Sequence, residues 1–341
     1  MLMKIVVDDK IPYIRETICQ LADEVVFLSG AAITADDVKD ADVLVVRTRT
    51  RCNQQLLEGS KVQLVVTATI GYDHIDTEWL ESAGIRWTNC PGCNSGSVAQ
   101  YVESTLLLLE QKKELSLHQS TIGIVGCGHV GSKVKTVAER LGMRVLVCDP
   151  PLASTPSPLT SHFVSLDEIE RNSDVITFHV PLTKEGDYAT WHLADDDFFQ
   201  RLSRVPYIIN TSRGEVVDNK ALLLAIEEGR VRDAIIDVWE NEPHPDATLL
   251  DKVFIGTPHI AGYSADGKTN ADNMVIDAIC QQFDLSHPGL IAPPALPKDF
   301  HYTGNPLELY NPMDDSQKLK AEPSHFEQLR NNYPLRREKF D

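Results

Sequence analysis

Residues 121–142, TIGIVGCGHVGSKVKTVAERLG, join an unbroken apolar run to glycines at 126, 128 and 131 and then to a segment of helical period. Few folds accept that order. An apolar strand without alternation is covered on both faces, which predicts a parallel sheet between layers of helices. The first glycine suits a tight turn and the second lets backbone approach a pyrophosphate. The third lets helix pack on strand, and the helix N-terminus offers N–H donors to the anion. The strand–turn–helix context makes this G-x-G-x-x-G informative. The next apolar run ends at Asp149, 18 residues beyond Gly131. A carboxylate there binds adenosine ribose hydroxyls and repels a 2′-phosphate, so the turn predicts NAD rather than NADP.

The same alternation runs through most of the chain. KIVVD (4–8), EVVFL (24–28), VLVV (43–46) and LVVTA (64–68) read as strands, with helical segments near 12–21, 35–40, 53–58 and 76–83. A long helix is predicted over 97–111, with Ser97 available as its cap. A second strand series follows at 121–126, 144–149, 174–180, 207–212, 234–239 and 253–257. Helices at 129–142, 166–171, 194–203 and 218–229 separate its members. The fold class is therefore α/β, with two doubly wound parallel-sheet domains and a crevice between them. Eight of the 19 prolines fall in the last 58 residues, where regular elements should be short. Aromatic and apolar residues persist there, which predicts a packed extension, on this chain or on a second subunit.

Charge restricts the partners. Lys and Arg number 32 against 50 Asp and Glu, a formal net charge of −18, which argues against nucleic acid. No stretch approaches the length of a membrane span, and the start, MLMKIVVDDK, is too short and acidic for a signal peptide. A cytoplasmic protein with no membrane or nucleic-acid partner is expected. The seven cysteines are scattered, and the single C-x-x-C, Cys90-Pro-Gly-Cys93, lacks the second pair a structural zinc needs. It reads as a turn, and no metal is expected. An anionic protein that binds an anionic small molecule must concentrate positive charge locally. Arg47-Thr-Arg49-Thr-Arg51 follows the strand VLVV, and in an extended segment the three arginines would share one face.

Three motifs stand at C-terminal ends of later strands, where open α/β sheets place ligands. In Asn210-Thr211-Ser212-Arg213-Gly214 an arginine can fork two donors onto a carboxylate. Asp237-Val-Trp-Glu-Asn-Glu242-Pro243 supplies carboxylates, and Thr257-Pro-His259-Ile-Ala-Gly262-Tyr263 supplies an imidazole. A Glu facing a His orients the ring and raises its basicity, as general acid–base catalysis requires.

These segments, in this order and spacing, resemble the D-isomer-specific 2-hydroxyacid dehydrogenases over residues 3–283. The resemblance implies NAD-dependent oxidation of a 2-hydroxy acid, with catalytic residues Arg213, Glu242 and His259. It implies cofactor contacts at Gly126, Gly128, His129, Val130, Gly131, Asp149, Val180, Thr211, Ser212, Arg213, Asp237 and Gly262, with Asp237 near the nicotinamide. It also implies interleaved domains. Residues 1–95 and 258–283 would form a flavodoxin-like substrate domain, 96–257 a Rossmann NAD domain, and 284–341 a C-terminal extension that makes a homodimer. The start of the long helix carries Gln100 where the family often has Glu.

Finer segments, among them ATIGYDHID (68–76), CDPP (148–151) and GTPHIAGYSADGK (256–268), are similar to a branch acting on a small phosphorylated 2-hydroxy acid. That branch implies substrate contacts at Arg47, Thr48, Thr69 and Tyr263. A dehydrogenase for another acid such as 3-phosphoglycerate, or an NAD-sensing regulator of the same fold, stays open at this level.

Overall fold

The computed structural model describes residues 3–154 and 163–338. The chain divides into two units, Met1–Asn94 with Ser264–Lys298, and Ser95–Tyr263 with Asp299–Asp341.

The first unit holds β1 (Lys4–Asp8), β2 (Glu24–Leu28), β3 (Val43–Val46), β4 (Leu64–Thr67) and β5 (Arg86–Thr88). They pair in parallel in the order β2-β1-β3-β4-β5, the flavodoxin-like winding. The pleat explains the unbroken valine runs. Val7, Val45 and Val66 face one core with Val275, Ile276 and Ile279, while Val6, Leu44 and Val65 face another with Val38, Leu57 and Leu80. The first of these cores is roofed by the helix Ala265–Phe283, whose Ser264 side chain accepts from Gly267 N at 2.7 Å. Its first half, ADGKTNADN, has no apolar period, so sequence patterning does not announce it. The three-residue edge strand β5 also escapes the pattern.

The second unit holds β6 (Thr121–Val125), β7 (Arg144–Cys148), β8 (Val175–Phe178), β9 (Tyr207–Asn210), β10 (Asp233–Ile236) and β11 (Ile255–Gly256). Their parallel order is β11-β10-β9-β8-β6-β7. A single parallel bridge from Val147 to Phe163 continues the sheet past β7. Counted with that bridge, the winding is 3-2-1-4-5-6-7, the dinucleotide-binding order 3-2-1-4-5-6 with its third strand reduced to one residue pair and β11 added at the far edge. The helix Ser95–Lys113 covers one face through Tyr101, Val102, Leu106 and Leu109, and the other face packs Phe178, Ile208 and Ile236 on Phe198 and Leu222.

The C-terminal extension expected over 284–341 is divided between the units. Residues to Lys298 stay with the first, where Asn273 and Ile291 exchange hydrogen bonds of 2.8 and 3.0 Å. Residues from Asp299 pack on the second through Leu319 and Phe326, with Ser104 Oγ donating to Tyr310 O at 2.9 Å. The helices Pro306–Leu309 and Pro312–Ala321 each begin on a proline. The missing N–H costs nothing at that position, so proline starts these helices rather than breaking them. The boundary expected at 258 falls after Tyr263 instead, because the backbone N–H groups of His259, Ile260 and Ala261 are all held by Asp237.

No helix among the described residues is long and apolar enough to cross a membrane. Cys90 and Cys93 are buried in the first unit as free thiols, and burial pushes both up, Cys93 to about 11. A thiol kept protonated is a poor nucleophile, which suits a structural turn.

Asp272 lies 1% exposed on the helix Ala265–Phe283, and its Oδ2 has no hydrogen-bond partner among the described residues. Burial pushes its carboxyl up to about 8, against the pull of Lys268 and Arg47. A folded pKa above the unfolded one gives stability that is complete below about pH 4 and lost as pH rises through 8. Asp272→Asn should therefore gain on the wild type over that range. The expected advantage at pH 8 is on the order of 5 kcal/mol, or roughly 10 °C in Tm, read by thermal denaturation at pH 4 and pH 8. Parallel curves for the two proteins would refute the assignment.

Candidate active site

The turn after β6 has the geometry its glycines anticipate. Gly126 has φ +91°, and a Cβ there would lie 2.6 Å from His179 O, across the point where the winding reverses between β6 and β8. A Cβ on Gly131 would stand 1.9 Å from Gly126 O, so only glycine lets the helix His129–Arg140 sit this close to the strand. A Cβ on exposed Gly128 would meet nothing within 4 Å, which leaves open space in front of the helix N-terminus. Asp149 follows β7 and accepts from Cys127 N at 2.7 Å and Leu152 N at 3.0 Å. These bonds aim the carboxylate beside the glycine turn, and each oxygen keeps lone pairs for further donors. An open helix terminus next to an oriented carboxylate fits a dinucleotide. His129 is exposed, and Val130 and Val180 are half-buried around the same turn.

Arg213 is positioned by the loop after β9. Buried Asn210 accepts from both the backbone and the hydroxyl of Ser212, at 3.1 and 2.9 Å, and donates to Arg213 O at 2.9 Å. A Cβ on Gly214 would lie 2.1 Å from the Trp239 carbonyl, so glycine is what brings this loop against the one after β10. Arg213 is half-buried, its Nη1 donates to Ser212 O at 2.8 Å, and no carboxylate pairs with it among the described residues. Thr211 Oγ1 lies 3.4 Å from His179 Nδ1. Loss of hydration pushes the His179 ring down to about 3, so it is neutral there.

Glu242 and His259 meet from the loops after β10 and β11. Trp239 N donates to Glu242 Oε1 at 3.0 Å, leaving Oε2 to face His259 Nδ1 at 2.8 Å. The His259 backbone is left-handed, φ +57°, and its N–H donates to Asp237 O at 2.8 Å. Its Nε2 has no partner among the described residues, and the side chain is 27% exposed. Burial works to raise the Glu242 carboxyl, but the His259 hydrogen bond and charge, Trp239 N–H and Arg330 outweigh it and hold the group below the usual range. A carboxylate that stays ionised beside one ring nitrogen, with the other nitrogen open, is the arrangement of an oriented general acid–base.

Asp237 is bonded to the loop after β11. It is 1% exposed, Oδ1 accepts from Thr257 Oγ1 at 2.6 Å and Ile260 N at 2.8 Å, and Oδ2 accepts from Ala261 N at 2.9 Å. Its carboxylate is the anchor of the loop that presents His259, with Gly262 half-buried just beyond. Tyr263 Oη accepts from Arg330 Nε at 3.2 Å, close to Glu242.

The first unit holds the other expected contacts. Thr48 is exposed after β3, and Thr69 is half-buried, bonded to Thr67 Oγ1 at 2.6 Å and Gly71 O at 2.8 Å. The expected shared face of Arg47, Arg49 and Arg51 is not formed, because residues 48–50 turn rather than extend. Arg47 Nη1 donates to Lys10 O at 3.0 Å, whereas Arg49 and Arg51 line a cavity of about 380 Å³ with Thr34 and Gln55.

Two supports carry no local signal in the sequence. Arg336, 8% exposed, donates to the carbonyls of Ile260 and Ala261 at 3.0 and 2.6 Å, and to Gln100 Oε1 at 3.1 Å. Gln100 thus serves the His259 loop through Arg336. His192 lies between Glu240 Oε1, 2.7 Å from Nε2, and Asp218 Oδ2, 3.4 Å from Nδ1. Carboxylates on opposite ring edges suit a hydrogen-bonded tie between the loops after β8, β9 and β10 rather than ligands converging on one ion.

The family model described as D-isomer specific 2-hydroxyacid dehydrogenase, NAD binding domain, matches residues 99–261. Erythronate-4-phosphate dehydrogenase of Bacteroides thetaiotaomicron is 54% identical over 340 residues, 98% of this chain and 97% of the relative. That of Escherichia fergusonii is 40% identical, over 98% and 92%. Among solved structures, D-lactate dehydrogenase from Aquifex aeolicus, complexed with NAD and lactic acid, aligns at TM-score 0.65 and 25% identity, covering 82% of this chain and 95% of its own. An NAD⁺-bound 3-phosphoglycerate dehydrogenase of Entamoeba histolytica aligns at TM-score 0.67 and 29% identity, covering 83% and 96%.

Proposed function

The chain belongs to the D-isomer-specific 2-hydroxyacid dehydrogenases, and from that premise we propose that it oxidises 4-phospho-D-erythronate with NAD. The product is (R)-3-hydroxy-2-oxo-4-phosphooxybutanoate, on the route to pyridoxal 5′-phosphate. The identity to relatives of that name over nearly the whole chain supports the substrate. The observation that carries the chemistry is the His259–Glu242 pair, with the open nitrogen of His259 turned away from the carboxylate.

The glycine turn and Asp149 would hold NAD, which would supply the hydride acceptor. Arg213 forks its guanidinium onto the substrate carboxylate and sets the face presented. His259 Nε2 takes the C2 hydroxyl proton as the C2–H bond breaks with its electron pair and the C2 carbonyl forms. Glu242 keeps the ring oriented and stabilises the imidazolium that results. In the reverse direction His259 returns the proton. Arg47, Thr48 and Thr69 of the first unit and Tyr263 of the second are proposed substrate contacts. A homodimer belongs to the same reading, and light scattering decides it.

The test is NADH formation with 4-phospho-D-erythronate, D-erythronate, 3-phosphoglycerate and D-lactate. The phosphorylated four-carbon acid should have the highest kcat/KM by at least ~10-fold, the worth of one good polar contact. Preference for 3-phosphoglycerate would move the protein to another branch. NAD binding without turnover of any acid would make it a regulator.

A further inference from the structure

Arg330 lies in the last turn of the helix Phe326–Asn331, in the C-terminal segment that belongs to the second unit. Its Nη1 lies 3.7 Å from Glu242 Oε2, the oxygen that holds His259, and its Nε donates to Tyr263 Oη at 3.2 Å. Nη2 has no partner among the described residues, and the side chain keeps 31% of its surface exposed. Two contacts therefore fix a guanidinium that still presents donors to a ligand.

The substrate limits where its phosphate can bind. Hydride leaves C2, and only C3, C4 and the ester oxygen separate that carbon from phosphorus, a reach of about 5 Å at ordinary bond lengths. The cation that meets the phosphate must stand beside His259. Among the described residues of the second unit, the contacts place three arginines at the segments that build the His259–Glu242 pair. Arg213 has the carboxylate in the reading above. Arg336 is buried and donates to Gln100, Tyr333 and the carbonyls of Ser97, Ile260 and Ala261, so it has no face to offer. Arg330 remains. Beside Glu242 it also offsets a carboxylate charge that would repel a dianion.

We propose that Arg330 is a specificity-determining residue that binds the substrate phosphate, an assignment that rests on the reading of this site as a dehydrogenase of a phosphorylated hydroxy acid. A guanidinium recognises phosphate through two parallel donors, which a lysine supplies only as a point charge.

Arg330→Gln and Arg330→Lys, assayed as the full chain with 4-phospho-D-erythronate and D-erythronate, test it. The Gln variant should lose ~10²-fold in kcat/KM on the phosphorylated acid, mainly through KM, and its loss on D-erythronate, which comes through Glu242 and Tyr263, should be smaller by at least ~10-fold. The Lys variant should recover part of the loss. Equal losses on both acids would mean that Arg330 acts only through Glu242, and no loss on either would remove it from the site; both outcomes overturn the proposal. Calorimetry with inorganic phosphate on the NAD-loaded protein is independent of turnover, and wild type should bind more tightly than the Gln variant by a similar factor. Equal phosphate affinity also overturns it. A wild type that oxidises neither acid defeats the dehydrogenase reading instead, and the calorimetry still decides Arg330.

Discussion

His259→Asn should lower kcat by ~10²- to 10⁴-fold, the usual range for removing a positioned general acid–base. Asn is the informative replacement because the residue has φ +57°, a conformation Asn adopts more readily than most side chains. The backbone N–H to Asp237 O and the anchored N–H groups of Ile260 and Ala261 should survive the change. Loss of turnover then reports the imidazole and not a displaced loop. NAD affinity, set by the turn after β6, should stay within about twofold of wild type, since the substitution removes no contact there. Steady-state kinetics and NAD titration by fluorescence check both halves. Near-normal turnover would remove His259 from the proton transfer. A large loss of NAD affinity would mean that the loop, not the ring, had been damaged.

Arg213→Lys should cost ~10²- to 10³-fold in kcat/KM for the hydroxy acid, although the charge is kept. The argument is geometric. Asn210 and Gly214 fix the arginine backbone on either side, and no carboxylate competes for the guanidinium among the described residues. A planar fork held there fits both carboxylate oxygens, whereas an ammonium reaches one at a time and leaves the substrate free to rotate about C2. Orientation of C2 is what hydride transfer needs, so kcat should fall along with a rise in KM. A change under about threefold in kcat/KM would show that the carboxylate is held elsewhere.

The chemistry-bearing motifs were legible because each is local. A strand end followed by glycine, arginine or histidine needs only a few neighbouring residues to be recognised, and the parallel order of the second sheet then brings those ends to one edge of it. Asp237 shows the limit. Its motif suggests a cofactor contact but says nothing of the loop from Thr257 to Ala261, which both its oxygens hold. The arginines at 47, 49 and 51 fail for a different reason. A shared face assumes an extended backbone, and a turn at 48–50 divides them between Lys10 and a separate cavity.

Arg330 and Arg336 lie in a proline-rich segment with no period and no motif, some 70 residues from the loop they support. Nothing local distinguishes them from surface arginines. Burial, the five donors of Arg336 and the contact of Arg330 with Glu242 arise only when that segment folds onto the second unit. The amino-acid sequence alone determined the α/β class, the dinucleotide turn and the identity of Arg213, Glu242 and His259, because strand period, glycine conformation and motif spacing act over a few residues. Tertiary structure decided which nitrogen of His259 is open, that Asp272 is buried with one oxygen unpartnered among the described residues, and that two arginines of the C-terminal segment reach the site. Those depend on contacts between distant parts of the chain, and no short-range pattern encodes them.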